Sequence, residues 1–145
     1  MHDATEKDSR CLILALGDST TAGTPGFKSP IEAPPDGSGN VESQYPYWLM
    51  QTHPDWCMLS RGVNGERTDD ILARLAREFI RFTPDLVMII AGVNDIYQGR
   101  PADIVRRKLE AIYAAAKRAP SHRRWEHPPL QHRHRGRERP DACRQ

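Results

Sequence analysis

Apolar residues cluster along this chain in two distinct rhythms. Leu12-Ile13-Leu14-Ala15-Leu16 is an unbroken apolar run that stops at Gly17-Asp18. Trp56-Cys57-Met58-Leu59-Ser60 runs into Arg61-Gly62-Val63-Asn64-Gly65, and Leu86-Val87-Met88-Ile89-Ile90-Ala91 into Gly92-Val93-Asn94-Asp95. Short continuous runs that end in turn residues predict strands buried on both faces, as in a parallel sheet. Between them the rhythm is helical. Ile71, Leu72, Leu75, Phe79 and Ile80 recur at the spacing of one helix face, with arginines on the other, and Pro84-Asp85 stops the run. Thr68 is the expected N-cap, with Asp69 and Asp70 as helix-start charges. After Pro101, Ile104, Val105, Leu109, Ile112, Tyr113 and Ala116 form a second apolar stripe. Tyr45–Thr52 reads as a short helix with Pro46 in its first turn. Trp48 and Trp56 are expected in the core. Strands alternating with helices predict an α/β domain with a parallel sheet of about three strands. Its third strand would leave an unpaired edge liable to aggregate.

Two regions lie outside this rhythm. Residues 24–44, rich in Pro, Gly and Ser, read as a long loop. From Pro120 onward only Trp125, Leu130, Ala142 and Cys143 are apolar. Charge breaks near the same point: residues 1–116 hold 12 Lys+Arg against 16 Asp+Glu, whereas residues 117–145 hold 9 against 3. The tail cannot bury enough surface to offset its ordering entropy, so disorder is expected there. The chain of 145 residues thus divides into a folded segment, 10–119, and a basic Pro/Arg/His-rich tail, 120–145.

Composition excludes several classes. No run approaches the ~18 apolar residues that would span a bilayer. The N-terminus lacks the basic-then-apolar pattern of an export signal, so a cytoplasmic location is expected. Cys11, Cys57 and Cys143 are an odd, widely spaced set that indicates neither a disulfide framework nor a zinc cluster. No cofactor is expected.

Chemistry concentrates where the strands end. In open α/β sheets, ligands bind outside the carboxyl ends of the strands. If the three strands are parallel, Gly17-Asp18-Ser19, Asn64-Gly65 and Gly92-Val93-Asn94-Asp95 converge on one rim. A hydroxyl, a glycine that a substrate can approach closely and a carboxamide donor would share one site, an inventory that suits acyl transfer. Ser19 would attack an ester carbonyl, and the N–H groups of Ser19 and Gly65 with the Asn94 side chain would hold the oxyanion. Each has a structural reading beside it: Ser19 as a turn or cap residue, Asn94 as an ordinary turn residue, Gly65 as a position needing positive φ. Asp18 is expected to tie down its loop, and Asp95 to give structural support.

The blocks LGDSTTAG (16–23), VNGERTDDILARL (63–75) and PDLVMIIAGVNDI (84–96) resemble the SGNH hydrolases, also called GDSL esterases and lipases. The resemblance covers about 85 residues and is carried by the blocks together, since G-D-S alone is common. It implies a flavodoxin-like three-layer α/β/α fold and metal-free hydrolysis of small-molecule carboxylic esters or thioesters. It puts the nucleophile on Ser19 and the oxyanion donors on Gly65 and Asn94. The family also needs an Asp and a His three residues apart near the C-terminus, the His serving as base. No Asp-x-x-His occurs here, and the fourth and fifth strands have no counterpart before the composition changes at Ala119. An impaired enzyme is therefore expected, read as a truncated or frameshifted version of a longer hydrolase; the competing reading is a genuine basic tail for an acidic partner. Two other functions stay open. Ser19–Thr24 superficially resembles the phosphate loop of a flavodoxin-like phosphate- or flavin-binding module. The tail alone could bind nucleic acid, with strong salt dependence.

Overall fold

The computed structural model describes residues 10–23 and 41–119. Most of the loop expected at 24–44, and the tail from Pro120, lie outside the described residues. Three parallel strands form one sheet in the order β2-β1-β3: β1 is Cys11–Gly17, β2 Trp56–Gly62 and β3 Leu86–Ile90. The helices are α1 (Ser19–Ala22), α2 (Tyr45–Thr52), α3 (Thr68–Phe82), α4 (Val93–Tyr97) and α5 (Ala102–Arg118), with a 3-10 turn at Val41–Ser43.

Side chains alternate across the pleat, so the apolar run of β1 feeds two cores at once. Leu12, Leu14 and Leu16 face Cys57 and Leu59 of β2, Ile71, Leu75 and Phe79 of α3 and Ile112 of α5. Ile13 and Ala15 face the other way, against Met58, with Tyr45, Leu49 and Met50 of α2 packed over them. Helices on both faces of a parallel sheet make the α/β/α sandwich that the strand–helix alternation predicts, incomplete at three strands. The edge on β3 is as expected. Among the described residues nothing pairs with its outer side, and Leu86 and Ile90 at its ends are exposed.

Several expectations need correction. Trp48 is 58% exposed rather than core, its indole N–H donating to the Glu42 carbonyl at 2.8 Å; Trp56 is half-buried and stacks on His53. Ile80 and Tyr113 lie at the rims of their helical stripes and are exposed. Thr68 is not an N-cap: Arg67 holds that position, and Thr68 begins the helix proper. Arg74 does not face solvent with the other arginines of α3 but is buried. Cys57 is disulfide-bonded, which the odd, widely spaced set of cysteines did not indicate. Spacing in sequence does not reveal which sulfurs a fold brings within bonding reach. Among the described residues no helix is long and apolar enough to cross a membrane.

Candidate active site

Register brings the carboxyl ends of the strands into line. Gly17, the last residue of β1, is paired with Gly62 of β2 on one side and Ile90 of β3 on the other. The three polar turns leave the sheet from this single row.

The first turn is built by a buried carboxylate and by close packing. Asp18 is fully buried and caps α1, its Oδ1 accepting from the Thr20 N–H at 2.9 Å. Ser19, half-buried, is the first residue of that short helix. The helix rests directly on the sheet: a Cβ at Gly62 would lie 2.1 Å from the Ala22 nitrogen and 2.7 Å from the Asp18 carbonyl oxygen. Asp18 thus ties down the loop, as its reading in the sequence held.

The second turn leaves β2 at Val63, whose N–H donates to the Gly17 carbonyl at 3.0 Å. The Glu66 N–H closes it on the Val63 carbonyl at 3.3 Å. Gly65 has φ +78° with nothing near its missing Cβ, and stands at the position where a type II turn requires positive φ. That turn is open to solvent, so a substrate could approach its backbone.

The third turn carries Asn94 and Asp95 on α4, and these two side chains face different tasks. The Asn94 carboxamide donates from Nδ2 to the Glu66 carbonyl at 2.9 Å, which hooks the third turn to the second one residue beyond Gly65. Asp95 is fully buried, accepting from the Thr68 N–H and the Thr68 hydroxyl, each at 2.9 Å. The first N–H groups of a helix have no partner within it and carry partial positive charge, so a carboxylate from α4 completes α3 there. This is why Thr68 is buried yet not a cap.

Behind the turns lies a buried ionic group absent from the sequence reading. The Arg74 guanidinium contacts the Glu66 carboxylate at 2.7 Å and Glu78 at 3.4 Å, and donates to the carbonyls of Arg61 at 2.7 Å and Gly17 at 3.3 Å. Arg61 makes a two-point pair with Glu78, both contacts at 3.0 Å. Burial alone would push the Glu78 carboxyl up, but hydrogen bonds and charge from Arg61 and Arg74 outweigh it and hold it below the usual range. The signal was present in the spacing. Arg74 and Glu78 stand three and seven residues after Ile71, on the inward stripe. Outside this group, Lys108 and Arg100 hold the Asp69 carboxyl low.

His53 is the one histidine among the described residues, and it closes α2 just before β2 begins. From Trp56 to Gly62 β2 runs about 20 Å at ~3.3 Å per residue, which separates that end from Gly62. It sits at the opposite rim from the turns. Among the described residues no three His, Cys, Asp or Glu side chains gather to hold a metal.

Comparison with known proteins points one way. The GDSL-like lipase/acylhydrolase family matches residues 15–144, a span that runs past Ala119, where the composition changes. An arylesterase of Vibrio mimicus is 31% identical over 105 residues, covering 72% of this chain and 48% of that protein. Among solved structures, AlinE4, an SGNH-hydrolase family esterase, superposes with a TM-score of 0.60 at 25% identity, covering 75% of this chain and 54% of its own. The psychrotrophic esterase EstA from Pseudoalteromonas sp. shares the fold at a TM-score of 0.61 and 22% identity, over 76% and 55%. The chain spans about half the length of these relatives. With the three strand-end blocks aligned on one rim and this family covering most of its length, the chain belongs to the GDSL-like lipase/acylhydrolases, the SGNH hydrolases.

Proposed function

We propose that the chain carries the acyl-transfer half of a serine esterase site, with Ser19 as nucleophile and Gly65 and Asn94 as oxyanion donors. The Ser19 oxygen attacks the carbonyl carbon of a carboxylic ester, and the carbonyl electrons move onto oxygen. The N–H groups of Ser19 and Gly65 and the free N–H of the Asn94 carboxamide meet that charge. Collapse expels the alkoxide, which takes from water the proton that the serine hydroxyl gave up to it, and leaves an acyl-serine that a second water hydrolyses to the acid, restoring the hydroxyl. The observation that supports this most directly is the register of Gly17 with Gly62 and Ile90, reinforced by the hydrogen bond from Asn94 to Glu66 beside Gly65. The esterase relatives favour this reading over a phosphate- or flavin-binding module.

No base for the serine stands beside it among the described residues. No Asp-x-x-His occurs in the chain's 145 residues, and His53 stands at the far rim. Triad enzymes that lose a member keep about 10³–10⁴-fold acceleration over water through the oxyanion hole and binding. Hydrolysis of p-nitrophenyl acetate by the purified chain is therefore expected to be slow, well below the roughly 1 s⁻¹ at which ordinary turnover begins, and abolished by Ser19→Ala. Turnover in the ordinary range would show that another group serves as base. A rate identical in wild type and Ser19→Ala would remove Ser19 as nucleophile.

A further inference from the structure

We propose that Arg74 is a positioning residue that aims the Asn94 carboxamide by way of Glu66. The inference rests on the oxyanion role given to Asn94 above, and deepens it. Arg74 is only 8% exposed, and its guanidinium joins the ends of β1 and β2 to the turn that carries Glu66. One nitrogen reaches the Gly17 carbonyl at 3.3 Å, two residues before Ser19, and the Arg61 carbonyl at 2.7 Å near the end of β2. The Glu66 carboxylate is held at 2.9 Å from Nε and 2.7 Å from a terminal nitrogen. Glu66 in turn offers its main-chain carbonyl to the Asn94 Nδ2 at 2.9 Å.

A carboxamide is planar, so its two N–H bonds cannot be oriented independently. Once the Glu66 carbonyl accepts one, the direction of the other is set. Glu66 follows the open Gly65 turn, and its side chain is anchored by Arg74. Without that anchor the carbonyl would move with the loop, and the Asn94 donor with it. A lysine could not replace the arginine. The guanidinium here serves Glu66, Glu78 and two carbonyls from one rigid plane, whereas an ammonium is a single point with three donors. The Arg61–Glu78 pair belongs to the same ionic group but does not touch Glu66, which provides an internal control.

The test compares the full chain as wild type, Arg74→Lys, Glu66→Gln and Arg61→Met. The readout is solvent exchange of the Asn94 side-chain amide by NMR, its signals assigned by their loss in Asn94→Asp. Arg74→Lys and Glu66→Gln are expected to speed that exchange by about tenfold, the factor one well-made hydrogen bond supplies. Arg61→Met should lower the denaturation midpoint yet leave the Asn94 exchange rate unchanged. In the p-nitrophenyl acetate assay, Arg74→Lys should cut the Ser19-dependent kcat by about 10- to 100-fold with KM held, part of the ~10²–10³ that loss of a whole oxyanion donor costs. Unchanged Asn94 exchange in folded Glu66→Gln and Arg74→Lys overturns the proposal. So does equal acceleration in Arg61→Met, which would mean that the ionic group is merely structural. Absence of Ser19-dependent hydrolysis in the wild type would remove the esterase reading alone, and the amide readout would still decide whether Arg74 positions Asn94.

Discussion

Asp95 shows how much one side chain can carry when it is buried. It stands next to Asn94 in sequence, yet it turns inward and completes the first turn of α3 through two hydrogen bonds to Thr68. Arg100 lies 3.5 Å from the same carboxylate. Replacing Asp95 with Ala strands the buried N–H and hydroxyl of Thr68 and leaves Arg100 with Asp69 alone. Asp95→Ala is expected to cost about 2–4 kcal/mol, read as a lower urea midpoint at pH 7. Asp95→Asn keeps one acceptor oxygen and should recover part of the loss. Glu78 makes a prediction in pH. Its carboxyl is held below its ordinary value of 4.5, so it adds stability that is fully present above that pH. The contribution is lost as pH falls through the lower value of the folded state. Urea midpoints should therefore decline below about pH 4.5, and Glu78→Gln should flatten that decline while lowering the plateau.

At the scale of elements, hydrophobic rhythm located every main strand and helix because burial dictates it. Leu12–Leu16 can only be an interior strand, since every one of its side chains meets a core. The helical stripe of α3 was readable for Ile71, Leu75 and Phe79. Ile80 sits at the stripe's rim, where the packing of α5 rather than periodicity decides exposure, and Arg74 and Glu78 were hidden because charge argues against burial until a partner is known. Helices α1 and α4, at four and five residues, are too short to show a period at all. The strand most consequential for behaviour is β3. Its outer side is unpaired among the described residues, and Leu86 and Ile90 offer apolar ends to another edge. Concentration-dependent association is expected in analytical ultracentrifugation. A Leu86→Lys/Ile90→Lys double variant should weaken it by more than about tenfold, given the ~1.5–3 kcal/mol that burial of one such side chain is worth.

At the scale of the whole molecule, the site depends on helix, sheet and turn meeting with no room to spare. Gly62 is the joint. Its missing Cβ leaves space for the backbone of α1, and the atoms that a methyl would meet are main-chain atoms that cannot swing aside. Gly62→Ala is expected to destabilise the fold by about 3 kcal/mol or more, seen as a lower melting temperature, because α1 and Ser19 must lift off the strand ends. Gly65, with open space around it, should tolerate alanine far better, at about the 1–2 kcal/mol that a left-handed conformation costs a residue with a Cβ.

The amino-acid order by itself determined the alternation of strands and helices, the apolar run of β1 that feeds both cores and the three polar blocks that mark the family. Those follow from local rules: apolar side chains leave water wherever the period allows, and turn residues stand where the chain reverses. Only the tertiary structure decided which charges go inside. Arg74 gains both Glu66 and Glu78 as partners because β2, α3 and the Gly65 turn meet there, and Asp95 finds Thr68 because α4 lies against the start of α3. A buried charge is tolerable only with its counter-charge and hydrogen bonds in place, and those partners come from distant parts of the chain, beyond the reach of any local pattern.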